Sequence, residues 1–509
     1  MNTNNKIISL KELSKKINLL KRQNKTVVLC HGVFDILHIG HIKHFESAKK
    51  NGDILVVTVT KDKFVNKGSH RPTFKIKERL SALAALNCID YVTQNDSSNA
   101  IKTIKYLKPN IYCKGSEYKK IKEDITGQIK NEINAINSVG GKVKYTYEDT
   151  YSSSNIFNSY SEHFNDEQKT FLKKIFKKYN FSKIKNLIDE LNALKVLVIG
   201  ETIIDEYIFS EALGKSGKEP VLALRELRRD HYLGGSSTIS NHISSFCKEI
   251  KLITMIGQKK EYFKFIKDKT NRNIKNEFIY KENSPTILKK RYIDFRNNKK
   301  IIGVYDMNDE QLTQKNRLQL TKKINSRINK SDIVIVADYS HGFISNETAK
   351  MITKKSKFLA VNAQINSSNM GHHTLDKYKK IDCLIVNEAE LRHEMRDKEN
   401  NLKKLMVSFA KRNKIKILII TQGSVGVILY DLNKNKFNHC PAFASNIVDI
   451  VGAGDAMFAI ISLCIKKKLD HDVALYLGSL AACQSVESIG NSKFVNKNDL
   501  LKTIKYSVI

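Results

Sequence analysis

The chain has 509 residues, 27% of them charged and 41% apolar, a composition typical of folded proteins and not of disordered ones. At roughly 100–200 residues per domain, this length predicts two or three domains. The net charge is +35, but the excess is mostly lysine spread along the whole chain, whereas surfaces that grip phosphate backbones usually cluster arginine. We therefore expect no nucleic-acid partner, although the charge should attract small anions such as nucleotides.

Membrane insertion and export are not expected. No apolar stretch reaches the roughly 20 residues that span a bilayer, and the long apolar run at 456–465 contains Ser462. The eight cysteines are scattered without a CxxC pair, and the first residues lack the apolar stretch of a signal peptide. These features predict a cytoplasmic protein without disulfides or structural zinc.

The first 150 residues alternate between helix and strand patterns. Ser9 and Glu12 have the spacing of a capping box and predict a helix to about Lys21. The run DILVVTVT at 53–60 is typical of a strand buried on both faces, so the alternation predicts a parallel, doubly wound sheet. Further strands are predicted at 26–30, 89–93, 110–114 and 142–147, and further helices at 38–50, 76–86, 100–107 and 120–137.

A second α/β pattern follows a charged helical stretch. Residues 162–193 have almost no strand signal and predict a helical linker, whereas KVLVIG at 195–200 starts a new series of strands. The predicted organisation is one α/β domain at 1–161, the linker, and a second α/β domain at 194–509. The fold class is α/β, with two doubly wound domains. Later strands are predicted at 251–256, 332–337, 358–362, 383–386 and 415–421.

The first candidate site is the sequence HGVFDILHIGH at 31–41, which follows a strand and opens a helix. His38 and His41 are three residues apart and so point the same way, and Gly40 lets a ligand approach the backbone. The helix N-terminus favours anions, and the imidazoles can donate hydrogen bonds to charge on an α-phosphate and a leaving pyrophosphate. The alternative is a capped helix start with a solvated histidine.

The block G-x-F-D-x-x-H-x-G-H resembles the signature of the cytidylyltransferase-like nucleotidyltransferases. The resemblance implies a Rossmann-like domain in which His38 and His41 stabilise the transition state and Lys67 binds phosphate. Tyr147 stands where some members have arginine, so another basic group would do that work. Class I aminoacyl-tRNA synthetases share the letters HIGH, but the chain shows no KMSKS-like loop. The further nucleotide-binding residues that the resemblance implies are Gly32, Phe34, Ser152, Ser153 and Ser154.

The second candidate site is VGAGD at 451–455, directly before the apolar helix 456–465. Gly452 and Gly454 allow consecutive backbone N–H groups to converge, which makes an anion hole at a helix N-terminus. Asp455 beside that hole can accept the proton of a sugar hydroxyl that attacks a γ-phosphoryl group. The alternative is a glycine turn with an N-capping aspartate.

The second domain resembles the ribokinase-like, or PfkB-type, sugar kinases over nearly its full length. The resemblance implies that Asp205, Gly234 and Gly235 bind the substrate and that Glu390 and Asn387 organise Mg²⁺. Residues 338–342, DYSHG, lie where heptose kinases carry a related loop. The chain departs from the family pattern at Thr238, Gln258 and 362–364, which lie on or near the sugar side. The resemblance therefore defines the phosphoryl-transfer chemistry better than it defines the substrate. The implied nucleotide-binding residues are Thr421, Gly423, Gly452, Ala453 and Gly454.

Together the two domains resemble the bifunctional heptose kinase/adenylyltransferases, with the domain order reversed. This implies phosphorylation of a sugar or sugar phosphate, such as a heptose phosphate, with ATP and Mg²⁺. It also implies nucleotidyl transfer onto a sugar 1-phosphate, giving a nucleotide-sugar and pyrophosphate, and a homo-oligomer. Two alternatives stay open: a CTP-dependent cytidylyltransferase that acts on a polyol phosphate and is fused to a kinase, and a non-catalytic nucleic-acid-binding or regulatory protein.

Overall fold

The computed structural model describes residues 3–65, 72–116, 128–146, 164–365 and 375–507. The chain divides into two compact units, Met1–Asn165 together with Leu501–Ile509, and Asp166–Leu500. Within the described ranges, no helix is long and apolar enough to cross a membrane. The boundaries expected at 161 and 193 stay predictions.

The first unit is a five-stranded parallel sheet in the order β3-β2-β1-β4-β5. Helices α2 and α3 cover one face, and α1, α4 and α5 cover the other. The strand order reverses between β1 and β4, and parallel sheets bind ligands beside the carboxyl ends of strands at such a point. The strands are β1 (Val27–Gly32), β2 (Ile54–Thr60), β3 (Tyr91–Asn95), β4 (Ile111–Gly115) and β5 (Lys142–Thr146). The helices are α1 (Leu10–Arg22), α2 (Ile39–Lys49), α3 (Ile76–Ala84), α4 (Ile101–Leu107) and α5 (Gln128–Ser138).

Local sequence explains most of this unit. The predicted capping box is present, because Ser9 Oγ accepts the Glu12 N–H at 3.2 Å and the Glu12 carboxylate accepts the Ser9 N–H at 3.1 Å. Strand β2 is buried along nearly its whole length, as its apolar run predicts. Helix α5 is described only from Gln128, so the predicted segment 120–127 lies outside the described residues.

The second unit is built on the 21-residue strand β6, which takes part in two sheets. Its first half pairs in parallel with β8 and β12 in a large central sheet, and its second half pairs with β7 and β10 in a smaller sheet. We call β7, β10, β11 and the second half of β6 the outer sheet. The strands are β6 (Lys195–Lys215), β7 (Leu222–Gly234), β8 (Glu249–Gly257), β9 (Ile274–Lys281), β10 (Leu288–Asp294), β11 (Lys300–Asp306), β12 (Ile333–Asp338), β13 (Leu359–Ala363), β14 (Cys383–Asn387), β15 (Ile417–Thr421), β16 (Val427–Asp431) and β17 (Lys436–Cys440).

Sequence reasoning missed several of the strands of this unit. It ended the first strand at 200, whereas β6 continues to Lys215, and it missed the outer sheet and the antiparallel strands β16 and β17. Every residue of β11 is exposed, so that strand has no buried face and its sequence carries no apolar alternation to recognise. The predicted α/β class with parallel-dominated sheets is confirmed.

Helices of the predicted linker belong to the second unit and pack within it. The Gln168 amide donates a hydrogen bond of 2.6 Å to the Ala442 carbonyl, and the Phe171 ring lies 6.2 Å from that of Phe443. Farther along, Asp189 forms an ion pair of 2.6 Å with Lys497. The helices are α6 (Asp166–Lys178), α7 (Phe181–Asp189), α8 (Gly235–Ile243), α9 (Phe263–Lys269), α10 (Gln314–Ile328), α11 (Asn346–Lys355), α12 (Glu388–Met395), α13 (Leu402–Asn413), α14 (Ala453–Lys466), α15 (His471–Val486) and α16 (Lys497–Tyr506), the last of which crosses the boundary at residue 500.

Candidate active sites

The first site lies at the carboxyl end of β1. His38 occupies the N-cap position of α2 without a side-chain hydrogen bond to the first turn, and its ring stacks on that of His41 with centroids 3.9 Å apart. Phe34 meets His41 edge-on at 5.5 Å, and a Cβ at Gly32 would lie 2.8 Å from the Phe34 ring. The structure therefore brings these four predicted residues together at a helix N-terminus.

Two buried charges hold the loop between β1 and α2. The Asp35 carboxylate accepts the backbone N–H groups of Thr73 and Phe74, each at 2.9 Å. The guanidinium of Arg79, which is fully buried, donates to the Val33 carbonyl at 2.5 Å and to the Thr60 carbonyl at 2.9 Å. The aspartate of the motif and Arg79 thus fix the path of the loop that carries the histidines.

A buried charge cluster lies on β4 and α5, and sequence reasoning missed two of its members, Tyr112 and Glu132. The Lys114 ammonium is 3.2 Å from the Glu132 carboxylate, which also accepts the Tyr112 hydroxyl at 2.9 Å. Burial, and then the charge of Lys114, lowers the pKa of both His31 and His44 to about 4. Both rings are therefore neutral at pH 7. In the sequence, the only indication of these two residues is that His31 directly precedes the G-x-F-D-x-x-H-x-G-H block and His44 follows it.

Some predicted residues of this site fall on parts of the chain that are not described. Lys67, Tyr147 and the three serines Ser152, Ser153 and Ser154 lie outside the described residues. Their predicted phosphate contacts stay predictions.

The second site is organised by the N-terminus of α14. Gly452 is the N-cap residue with φ +88°, and a Cβ there would lie 2.0 Å from Oδ1 of Asn491, so only glycine fits. A Cβ on Gly454 would meet no heavy atom within 4 Å among the described residues. The first turn of α14 is therefore unobstructed beside Gly454, which leaves room there for a bound phosphate.

Asp455 lies in the first turn of α14 and is buried. The Tyr339 hydroxyl donates a hydrogen bond of 2.8 Å to its Oδ1. Burial raises the pKa of Asp455 to about 7; the hydrogen bond from Tyr339 lowers it, and the charge of Asp205 raises it further. A carboxyl group with this pKa can accept a proton near neutral pH, which is what the predicted base requires.

The sugar side of the site combines predicted and unpredicted residues. Asp205 on β6 pairs with Arg291 on β10, and a Cβ on Gly234 would lie 2.7 Å from Oδ2 of Asp205. Lys289 is buried on the same strand as Arg291; burial lowers its pKa, and the charge of Asp205 opposes this. Gly235 begins α8 with φ +62°. The period-2 spacing of Lys289 and Arg291 on a strand was the signal that sequence reasoning missed.

Glu201 connects this site to the loop 338–342. Its buried carboxylate accepts the Tyr339 N–H at 3.0 Å and the His341 N–H at 3.1 Å. Burial, and then the charge of Asp338, raises the pKa of Glu201 to about 7. Glu201 therefore fixes the backbone from which Tyr339 reaches Asp455.

The predicted metal residues form a capping box at the start of α12. Asn387 Oδ1 accepts the Glu390 N–H at 2.8 Å, and Glu390 Oε2 accepts the Asn387 N–H at 2.7 Å. Burial raises the pKa of Glu390 to about 7, and the charge of Asp455 adds to this. The Asn387 amide thus has a structural partner, while Glu390 presents a buried carboxylate that interacts electrostatically with Asp455. The described residues contain no group of three or more His, Cys, Asp or Glu that could hold a metal ion.

The predicted nucleotide residues Thr421 and Gly423 lie beside this edge. Asn387 at the end of β14 is in register with Thr421 at the end of β15. Gly423 has φ +58° in the turn that follows, and the Gln422 amide donates to Glu388 at 2.7 Å. The carboxyl ends of these two parallel strands therefore form one continuous surface with the start of α12.

Comparison with protein families identifies the larger unit. Residues 193–498 match the pfkB family of carbohydrate kinases, which is more than half of the chain. The chain belongs to that family. Residues 29–159 match the cytidylyltransferase-like family. The predicted combination of a ribokinase-like kinase domain and a Rossmann-like nucleotidyltransferase domain is confirmed.

Several curated relatives of the chain are named bifunctional protein HldE. The protein of Campylobacter jejuni subsp. doylei is 26% identical over 325 residues, which cover 61% of this chain and 66% of the relative. That of Campylobacter fetus subsp. fetus is 42% identical over 139 residues, which cover 27% and 29%. The chain thus spans just under two thirds of the length of the first of these relatives.

Solved structures show the same fold in the larger unit. Phosphofructokinase-2 from Escherichia coli in complex with substrates and products superposes with a TM-score of 0.51 at 14% identity, covering 62% of this chain and 99% of that one. At this identity the likeness establishes the fold of the kinase unit.

Proposed function

We propose that the chain is a bifunctional sugar-activating enzyme. The C-terminal site phosphorylates a sugar or sugar phosphate with ATP, and the N-terminal site transfers a nucleotide onto a sugar 1-phosphate and releases pyrophosphate. The observation that carries the proposal is Asp455, a buried carboxyl group with a pKa of about 7 at the open start of α14. The family matches of both units support it.

In the kinase reaction, Asp455 takes the proton of the sugar hydroxyl. The hydroxyl oxygen forms a bond to the γ-phosphorus while the bond to ADP breaks. Backbone N–H groups around Gly452–Gly454 receive the phosphoryl charge, because they are fixed in place before the reaction and need no reorganisation. Asp205 and Arg291 hold the sugar on the other side of the site.

Mg²⁺ would neutralise charge on the ATP phosphates. Glu390 is the residue that fits this ion, since its carboxylate is buried and interacts with Asp455. Carboxylate oxygens, with water in between, are ligands that Mg²⁺ prefers. The Asn387 amide would act indirectly, by fixing Glu390 through the capping box.

In the nucleotidyl transfer, the phosphate of the sugar 1-phosphate attacks the α-phosphorus of the nucleotide and pyrophosphate leaves. His38 and His41 donate hydrogen bonds to the charge that develops, and the N-terminus of α2 adds its dipole. Lys67 and the serines at 152–154 would bind the remaining phosphates. No covalent protein intermediate is needed.

The kinase substrate is proposed to carry a phosphate. Arg291 is neutralised by Asp205, whereas Lys289 is a second, buried cation with no carboxylate within ion-pair distance among the described residues. A buried ammonium group needs a counter-charge, and a phosphorylated sugar such as a heptose phosphate supplies one. The nucleotide of the second reaction is ATP in this proposal, with CTP as the alternative.

We also infer that the chain is a homo-oligomer in the cytoplasm that associates through its outer sheet. Apolar side chains are exposed along that sheet, and contiguous exposed apolar surface marks interaction sites. The side chains concerned include Leu213, Leu222, Leu227, Ile302 and Val304. Light scattering on the wild type and on Ile302→Lys tests this, since only the wild type should form the oligomer.

The proposed function is tested by incubating the purified protein with ATP or CTP and a panel of sugars, sugar phosphates and polyol phosphates. ADP and pyrophosphate are followed separately. We expect ADP from one sugar or sugar phosphate, and pyrophosphate from a sugar 1-phosphate. Pyrophosphate only with CTP and a polyol phosphate would favour the cytidylyltransferase alternative. Salt-dependent RNA binding without either product would favour the non-catalytic one.

A further inference from the structure

Asp449 is a buried carboxylate that begins the segment leading to the anion hole. It accepts four hydrogen bonds: from the Tyr207 hydroxyl at 2.5 Å, the Lys300 ammonium at 2.7 Å, the Gly490 N–H at 3.0 Å and the Val451 N–H at 3.2 Å. The first two donors belong to the outer sheet, Val451 directly precedes α14, and Gly490 follows α15 in the chain. One carboxylate therefore joins the outer sheet to the segment 449–452.

Of the four groups that donate hydrogen bonds to Asp449, only the Lys300 ammonium carries a charge. Burial acts to raise the pKa of Asp449, but the hydrogen bonds from Lys300 and Tyr207 outweigh it and leave that pKa below its usual value. Burial and the charge of Asp449 raise the pKa of Tyr207, which stays a neutral donor. Lys300 is thus the cation that neutralises the Asp449 carboxylate, and a buried carboxylate that loses its cation is strongly destabilised.

The same contact lies next to the proposed sugar side. Tyr207 follows Asp205 by two residues on β6, and the Arg291 guanidinium lies 5.7 Å from the Tyr207 ring. The Lys300 ammonium lies at the same distance from that ring. On the other side, Gly452 is three residues beyond Asp449 and Asp455 is six. Asp449 therefore contacts Tyr207, which neighbours the residues proposed to hold the sugar, and lies in the same segment of the chain as the residues proposed to receive the phosphoryl group.

We propose that Lys300 is a positioning residue for phosphoryl transfer. Its ammonium group, carried by the outer sheet, neutralises Asp449 and fixes the segment 449–452 so that the anion hole is in register with a sugar bound on the outer sheet. This inference rests on the proposed kinase activity. Lys300 acts on the transition state through Asp449 and does not itself contact a substrate.

Lys300→Met tests the proposal, because it keeps the stem of the side chain and removes the charge. Misplacement of reacting groups is expected to lower kcat about 10–100-fold, with smaller changes in KM for ATP and for the sugar. Lys300→Arg, which keeps a charge, should restore part of kcat, and so should methylammonium added to Lys300→Ala, whose truncated side chain leaves room for it at a position that is 36% exposed. Tetramethylammonium, which has no N–H donor, should not. Lys299→Met is the matched control and should behave like wild type.

A second readout does not depend on catalysis. Hydrogen exchange of the peptide covering 449–456 should be faster in Lys300→Met than in wild type. The melting temperature of the first unit and the rate of pyrophosphate release should not change. Wild-type kcat and exchange in Lys300→Met would overturn the inference, as would a loss of kcat that neither Lys300→Arg nor methylammonium relieves. If the wild type forms no ADP with any sugar, the proposed function fails, and the exchange comparison still decides the role of Lys300.

Discussion

Tyr339 and Asp455 are joined by a hydrogen bond of 2.8 Å from the phenol to Oδ1, although 116 residues separate them in the chain. The phenol favours the ionised carboxylate and so opposes the effect of burial on the pKa of Asp455. The backbone of Tyr339 is itself fixed by Glu201 at 3.0 Å. The protonation state of the proposed base is therefore set by a residue that only the fold brings near it.

The first prediction concerns pH. If Asp455 acts as the base with a pKa of about 7, kcat/KM of the kinase should rise through pH 7 and then level off. Tyr339→Phe removes a hydrogen bond to a charged group, worth about 1.5–3 kcal/mol, and should move this rise to a pH about 1–2 units higher. The profile is measured from pH 5.5 to 9.5. Tyr378→Phe is the control, because that phenol donates to Asp338 instead; identical profiles for Tyr339→Phe and wild type would contradict the assignment.

The raised pKa of Asp455 should also make the stability of the protein depend on pH. Folding raises its pKa from the ordinary 3.8 to about 7, so the folded state binds this proton more tightly than the unfolded chain. Stability is therefore lost as the pH rises from about 4 to 7. Asp455→Asn cannot ionise and should gain in melting temperature relative to wild type as the pH goes from 5 to 8. Melting temperatures at pH 5, 6.5 and 8 check this. If the difference in melting temperature between Asp455→Asn and wild type stays constant or reverses with pH, the pKa of Asp455 is not raised by folding.

The two glycines of the anion hole should respond differently to alanine. Gly452→Ala places a Cβ 2.0 Å from Asn491 at φ +88° and should lower the melting temperature and abolish kinase activity. Gly454→Ala meets no described atom within 4 Å, so the melting temperature should stay near that of wild type. Its methyl group would instead enter the space proposed for phosphate and raise KM for ATP. Equal loss of stability in both variants would contradict the proposed anion hole.

His38 and His41 should contribute mainly in the transition state. Alanine at either position should lower kcat for pyrophosphate release on the order of 10²–10³-fold, with a smaller effect on KM for the nucleotide. The kinase reaction should not change. A role in capping α2 predicts a loss of about 1 kcal/mol in stability with nearly normal turnover. Measuring kcat and melting temperature on the same variants separates the two interpretations.

Short-range spacing allowed part of each site to be predicted. His38 and His41 lie on one turn, and Gly452, Gly454 and Asp455 lie at one helix start, so local geometry fixes their proximity. Tyr339 meets Asp455, and Glu201 meets Tyr339, only through the order of strands in the central sheet, which the sequence does not state.

The outer sheet was missed for a related reason. Strand β11 is exposed along its whole length, so no apolar pattern marks it, and Lys300 reads as one of many surface lysines. Its partner Asp449 is 149 residues away. A contact of this kind depends on the long strand β6, which the sequence prediction ended at residue 200.

The central claim is that two independent active sites act on two different phosphate bonds. It is tested most directly by measuring ADP and pyrophosphate formation side by side in wild type, Asp455→Asn and His41→Ala. Asp455→Asn should form no ADP from the sugar, because an amide cannot accept the proton, and should release pyrophosphate at the wild-type rate. His41→Ala should show the opposite pattern. Loss of both activities in either folded variant, or ADP formation by Asp455→Asn at the wild-type rate, would contradict the account.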